Sequence, residues 1–180
     1  MKKTIKSITS MSVLAVALGF ANQANAKEKE EQPWTLFFSA EPGVACEAFG
    51  VDISFRNCSE NRPEDKVFTD ISGNPVRIIS RGKGCDLQFV NQSTDATFVT
   101  KANGSVTHTT IHSDGSQTVS NEGHNVVIFF ESDLPPGVGP STKQYVGRLV
   151  YTVLPPPDET TFIFQEFNGR TVDICAELSE

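Results

Sequence analysis

Long apolar runs, CxxC pairs, helix-period stretches and histidines are all scarce in this chain of 180 residues. Its most extended apolar stretch, Val13 to Phe20, is too short to cross a bilayer, which takes about 20 residues as a helix. No membrane span is therefore expected. With three histidines in the whole chain, a Ser-His-Asp triad has few ways to assemble, and no GxSxG, HExxH, P-loop or EF-hand signature occurs. No catalytic residue, metal set or cofactor is assigned, and the chain reads as a non-enzyme. Positive charge is also in deficit, with 15 basic against 22 acidic residues. That excess of negative charge repels phosphate backbones and anionic lipid, so nucleic acid is a poor partner.

What is present begins with a targeting signal. The start "MKKTIKSITSMSVLAVALGFANQANA" places Lys2, Lys3 and Lys6 before the apolar stretch and ends in Ala24-Asn25-Ala26. A positive head, an apolar middle and a small-x-small end describe a secretory signal over 1–26, cut after Ala26. No cysteine stands at the cut and no twin arginine in the head, so the product is expected free of a lipid anchor, secreted outside the cell or held in a periplasm. Removing 26 of 180 residues leaves 154, enough for one domain with a real core. The segment 27–33 is charged, ends in proline and reads as a flexible leader, with the domain proper over 34–180.

Cys46, Cys58, Cys85 and Cys175 all follow the signal. In an oxidising compartment an even number without CxxC spacing reads as two disulfides. Three pairings are possible, and Cys46 with Cys175 plus Cys58 with Cys85 is preferred because the first would join the start and end of the fold. Loop entropy would give that long closure roughly 4 to 5 kcal/mol and the short one roughly 3.

The dominant period is two. In "FGVDISFR", Phe49, Val51, Ile53 and Phe55 share one face and Gly50, Asp52, Ser54 and Arg56 the other. Similar strands are read near "WTLFF", "KVFTDI", "VRIIS", "CDLQFV", "ATFVTK", "VTHTTIH", "QTVS", "NVVIFFE", "QYVGRLVYTV", "TFIFQEF" and "TVDICAE". Turn signals separate them at Ser72-Gly73-Asn74-Pro75, Asn103-Gly104, Asp114-Gly115 and Asn168-Gly169. The fold class expected is all-β: a single-domain antiparallel β-barrel or β-sandwich of about ten short strands, stapled by disulfides. The loops "DLPPGVGPS" and "LPPPDET" are expected at one end of it, as connectors or as a binding surface.

Every histidine, His108, His112 and His124, falls in "VTHTTIHSDGSQTVSNEGHN". If Asp114-Gly115 is a two-residue hairpin loop, His112 faces Gln117 and His108 faces Asn121. His108 and His112 are then separated by roughly 14 Å at about 3.4 Å per residue, too far to share an ion. The stretch reads as a solvated hairpin, at an edge or projecting from the body. Glu131, Asp133 and Glu166 read as solvated acids in preference to a catalytic pair. Asp70, Asn74 and Asp114 fit turn geometry better than calcium ligation. Sequons stand at Asn57, Asn91 and Asn103; in a eukaryotic host Asn91 and Asn103 would be the better acceptors.

Of 13 phenylalanines, 12 follow Ala26, a bias that suits a dry interior better than a sugar-stacking surface. Tyr145, Leu149 and Tyr151 share a face of "QYVGRLVYTV"; core packing is the favoured reading, and that face is the first wall to examine for a ligand if it lines an open barrel.

Three segments, "GVACEAFGVDISF", "GRLVYTV" and "GRTVDICAEL", give the chain a resemblance. It is similar to a group of small secreted bacterial proteins, common among actinomycetes, with an early Cys before an apolar strand and a terminal Asp-x-Cys-Ala element. The resemblance implies an all-β fold closed by Cys46 and Cys175, with Cys58 and Cys85 as an addition. It carries no activity and no functional residue. The function expected is that of an exported, non-catalytic β-domain binding an unidentified small molecule or macromolecular partner. The alternatives are an envelope-interaction protein whose Thr/Ser hairpin is the contact surface and, less favoured, an enzyme using acids or histidines.

Overall fold

The structure, a computed structural model, describes residues 31–58, 65–155 and 161–180. The signal 1–26, most of the leader and the core of the "LPPPDET" loop lie outside the described residues. Ten strands are present among the described residues: β1 Thr35–Ala40, β2 Val51–Arg56, β3 Lys66–Thr69, β4 Pro75–Gly82, β5 Asp86–Asn91, β6 Thr97–Thr100, β7 Ser105–Ile111, β8 Gln117–Phe129, β9 Ser141–Val153 and β10 Phe162–Asp173. They form a four-stranded sheet in the order β1-β2-β5-β6 and a six-stranded sheet in the order β10-β9-β8-β7-β4-β3, with every ladder antiparallel. Neither sheet closes on itself, so the barrel alternative is set aside and the architecture is sandwich-like. The edge strands β10 and β3 of the larger sheet do not pair with each other, and the chain crosses between the sheets three times, after β2, at 83–85 and at 101–104.

The six-stranded sheet folds over on itself. Phe129 pairs across from Ser141, and Phe164 across from Tyr151. Ten residues of straight β9 would separate those positions by about 33 Å. Instead the two phenyl rings meet edge to face at 5.9 Å. The fold line is a row of glycines, Gly123 against Gly147 against Gly169, on three adjacent strands. All three have positive φ, at 100°, 141° and 147°. A Cβ on Gly147 would strike the carbonyl oxygen of Asn168, one on Gly169 that of Val146, and one on Gly123 would stand 2.6 Å from that of Gly104. Only residues without a side chain let the backbones approach so closely while turning so sharply.

This crease corrects the strand list. "QTVS" and "NVVIFFE" are one strand, β8, and "TFIFQEF" and "TVD" are one strand, β10; Asn168-Gly169 is a bend within a ladder and not a loop. The segment after Asp173 is not strand but a short helix, α1 Ile174–Glu177, whose Ala176 N–H donates to the Asp173 carboxylate at 3.1 Å. The crease also creates two cores. Inside it, Val127, Phe129 and Tyr145 from one half meet Leu149, Tyr151, Phe162, Phe164 and Phe167 from the other. On the opposite face, Val126 and Ile128 pack with Val51, Ile53 and Phe89 of the four-stranded sheet and with Ile174 and Leu178 at the C-terminus.

Cys46 is bonded to Cys175 and Cys58 to Cys85, the pairing preferred from sequence. The first pins α1 against the core between the two sheets, where Thr142 Oγ1 also donates to the Ala45 carbonyl at 2.8 Å. The "DLPPGVGPS" loop is structural at its start. Asp133 is buried, and its carboxylate accepts from Phe130 N and Phe162 N, both at 2.8 Å. Leu134 bridges to Ile163, so the crease brings the roots of the two proline-rich loops together although they sit at opposite ends of β9. At the N-terminal side, Glu31 of the leader pairs with Arg56 at 2.7 Å, and the Arg56 guanidinium lies 4.2 Å over Trp34.

Gly147→Ala combines a strained φ with a backbone collision, so it should lower stability by about 2 to 4 kcal/mol. Gly73→Ala, at a turn with φ +86° and nothing within 4 Å of the added carbon, should lose only about 1 kcal/mol. Urea unfolding of the pair checks this, and equal midpoints would refute the crease as a constraint.

Candidate functional site

The three crossovers between the sheets are tied together by one carboxylate. Asp86, at the start of β5, is 7% exposed. It accepts from the side-chain amide of Asn57 at 3.1 Å, from the Ala102 N–H at 2.9 Å and from Lys101 Nζ at 3.5 Å. Asn57 belongs to the first crossover and residues 101 and 102 to the third, while Asp86 itself follows the second. The Cys58–Cys85 disulfide ties the first to the second by a covalent bond. Burial opposes the charge on Asp86, but the Ala102 N–H, the Asn57 amide and the Lys101 ammonium outweigh it, and its carboxyl is held below the ordinary range.

Fixed in this way, the crossovers flank a cleft of about 230 Å³ at the mouth between the sheets. Its walls include Lys83, Lys101, Asn103 and Thr100 on one side and His124, Val126 and Gln144 on the other, with Leu87 between. His124 immediately follows the crease glycine Gly123, so the fold line sets this wall. The Asn103 amide nitrogen stands 3.5 Å from His124 Nδ1. A second hollow of about 350 Å³, lined by Asp65, Ser80, Arg81 and Thr107, meets the first at Gly84 and Ser105.

The face of Tyr145, Leu149 and Tyr151, for which core packing is the favoured reading from sequence, lies apart from this cleft. Tyr145 and Leu149 are buried inside the crease, and Tyr151 packs beside them. Tyr145 meets Phe129 and Phe167, and Tyr151 meets Phe162, all edge to face. Phenylalanine fills the space a ligand would need. Burial pushes both phenols up, with Asp173 adding to the shift at Tyr145 and the Asn121 amide opposing it at Tyr151. Both stay protonated and neutral.

The histidine hairpin has a different register from the one expected. His112 N donates to the Ser116 carbonyl, and His108 pairs with Ser120, not Asn121. A three-residue loop ending on Gly115 at φ 86° replaces the two-residue loop, which moves each partner by one place. Nor is the hairpin at an edge, since β7 lies between β8 and β4; a strand rich in threonine has the β propensity to be paired on both sides. The three imidazoles go to three partners: Arg77 Nη2 at 3.2 Å from His108 Nδ1, Thr118 Oγ1 at 2.8 Å from His112 Nε2, and Asn103 for His124.

The acids also separate. Asp133 is the buried clamp described above, not a solvated group, and Glu166 pairs with Arg148 across the outer face; Glu131 stands exposed in a loop. Asp70 accepts from Ser72 N and Asn74 N, and Asp114 from Ser116 N, which are turn-building roles. Asn91 is 2% exposed, and its amide donates to the Leu178 carbonyl at 3.0 Å. It is therefore unsuited as a glycan acceptor, unlike exposed Asn103. What sequence reading missed is the inter-sheet mouth; its signal was the acid directly after Cys85, hidden because its partners lie up to 29 residues away.

Asp86→Asn would set a second amide donor against Asn57, and at pH 7 it should lose about 1 to 3 kcal/mol. Because the folded carboxyl lies below its unfolded value of about 4, Asp86 contributes stability above that pH and loses it as pH falls through the folded value. The gap between wild type and variant in thermal unfolding should therefore close on acidification below about pH 4, and a pH-independent gap would refute the hub. No family model, curated protein or solved structure matches this chain.

Proposed function

We propose that the chain is an exported, non-catalytic binding domain that takes a small polar ligand at the mouth between its two sheets. One observation carries the reading: the apolar interior is filled by aromatic side chains, while the inter-sheet mouth is an open cleft with polar walls held by a covalent and ionic brace. Interiors packed to this degree leave no room for an apolar guest. Export is supported by the signal-like start and by two disulfides, which persist in oxidising compartments. Among the described residues no helix is long and apolar enough to cross a membrane. The likeness to small secreted bacterial proteins points to the same compartment, outside the cell or in a periplasm.

Two measurements test this. The mass of the protein recovered after export should correspond to a chain starting at Lys27 and lacking four hydrogens; an intact Met1 or free thiols would defeat the export reading. In amide spectra, a screen of sugars, amino acids and small organic acids should move Leu87, Thr100, Asn103 and His124 together. No response there to any class would defeat the ligand reading.

A second reading, envelope attachment, is favoured by the β3–β4 hairpin. It displays Val67 at 51%, Ile71 fully exposed and Val76 at 38% at the free edge of the six-stranded sheet. On this reading the contact is the free edge at β3, since β7 and β8 are paired on both sides and offer no open edge. Ile71→Asp should leave the melting temperature unchanged and release the protein from the envelope fraction of its producing cells. Unaltered retention would place the contact elsewhere.

A further inference from the structure

We infer that the mouth recognises a small organic oxyanion, a carboxylate or phosphate monoester carried on a short apolar body; this rests on the mouth being a ligand site. The charge on its walls is the opposite of the charge on the chain. Among the described residues, the lining contains Lys83, Lys101 and His124 and no carboxylate, in a protein with 22 acidic residues against 15 basic. The three cationic or cation-forming groups come from three segments: Lys83 from the second crossover, Lys101 from the third, and His124 from β8 on the facing wall.

The neighbouring acid offsets one of these charges and leaves the other. Asp86 pairs with Lys101 at 3.5 Å, while Lys83 has no ion-pair partner among the described residues. An ammonium has three hydrogens, so Lys101 keeps donors for a guest. His124 adds a further donor, since an imidazole carries at least one ring N–H in any tautomer; the Asn103 amide nitrogen stands 3.5 Å from its Nδ1. The hydroxyls of Thr100 and Ser105 and the amide of Gln144 add further donors, while Leu87 and Val126 supply an apolar floor. At about 230 Å³ the space falls below the roughly 300 Å³ at which drug-sized sites begin, which restricts the guest to metabolite size. The adjoining hollow adds no net charge, since Arg81 there is matched by Asp65.

The test is amide NMR of the oxidised mature protein titrated with inorganic phosphate, with butyrate, and with the neutral probes butanol and glucose. Phosphate and butyrate are expected to give saturable shifts at Lys101, Asn103 and His124, weakened by added salt. Lys83→Gln and His124→Gln should each weaken butyrate about tenfold, the loss of one charge-assisted contact, with unchanged melting temperature. Saturable shifts from glucose or butanol without phosphate or butyrate would overturn the oxyanion class and leave the mouth a ligand site. Silence from all four probes overturns the oxyanion class, while the broader screen above decides the ligand reading on its own. Anion shifts indifferent to both variants would show that the binding is not at these residues.

Discussion

At the glycine row, Gly147 and Gly169 lie so close to each other's strands, and Gly123 so close to Gly104, that no side chain fits, and much of the architecture follows from that contact. A sheet with twelve- and thirteen-residue strands would ordinarily present one long apolar face and need a second sheet of equal length to cover it. Folding the sheet at the glycine row lets its two halves cover each other, with Tyr145 and Phe129 on one side and Leu149, Phe164 and Phe167 on the other. The outer face of the shorter half is then left for the four-stranded sheet. A sheet of modest area is enough to cover it, which is why β1, β2, β5 and β6 need only four to six residues each.

Folding in this manner leaves a seam where the chain passes between sheets. Such crossings are costly because their backbone groups have no ladder to satisfy them. Asp86 meets one of these demands by accepting from the Ala102 N–H and also holds the Asn57 side-chain amide, and Cys58–Cys85 removes freedom from the same point in the unfolded chain. Asp133 performs the equivalent task for the loop before β9, accepting from Phe130 N and Phe162 N. The two disulfides act in different places: Cys46–Cys175 secures α1 against the core between the sheets, and Cys58–Cys85 secures the seam.

Period-two patterning made the strands legible because one face of each is buried; Val51 and Ile53 alternate with Asp52 and Ser54 in sequence as they do in burial. The cysteine pairing was legible because so few connectivities exist for four residues. The crease was not. Asn168-Gly169 has the composition of a turn, and local sequence cannot distinguish a glycine that ends a strand from one that lets three neighbouring backbones touch. That distinction depends on register, which also defeated the histidine hairpin by a single residue. Tyr145, Leu149 and Tyr151 were placed on one face correctly, but whether that face is a wall or a core depends on Phe162, Phe164 and Phe167, whose approach is set by the crease. The cleft residues were invisible for the same reason: Lys83, Lys101 and His124 are brought together by crossovers, not by any spacing along the chain.

Two consequences of phenylalanine use bear on function. Phe129, Phe162, Phe164 and Phe167 have no polar tip to satisfy, so they close the crease without needing buried partners, and the hydroxyl of Tyr151 is accommodated by Asn121 at 3.5 Å. A dry interior of this kind is stable but inert. Recognition then has to use what the packing leaves at the surface, and there the distribution of charge matters more than its total. Negative charge spread over the exterior keeps anions at a distance by long-range repulsion, which salt screens over about 8 to 10 Å. Inside the proposed site, where low-dielectric walls concentrate the field of nearby groups, Lys83 would meet a guest at contact range without an ion-pair partner among the described residues, whereas Lys101 is shared with Asp86. The small-anion site we propose is thus compatible with an exterior whose net negative charge opposes polyanions.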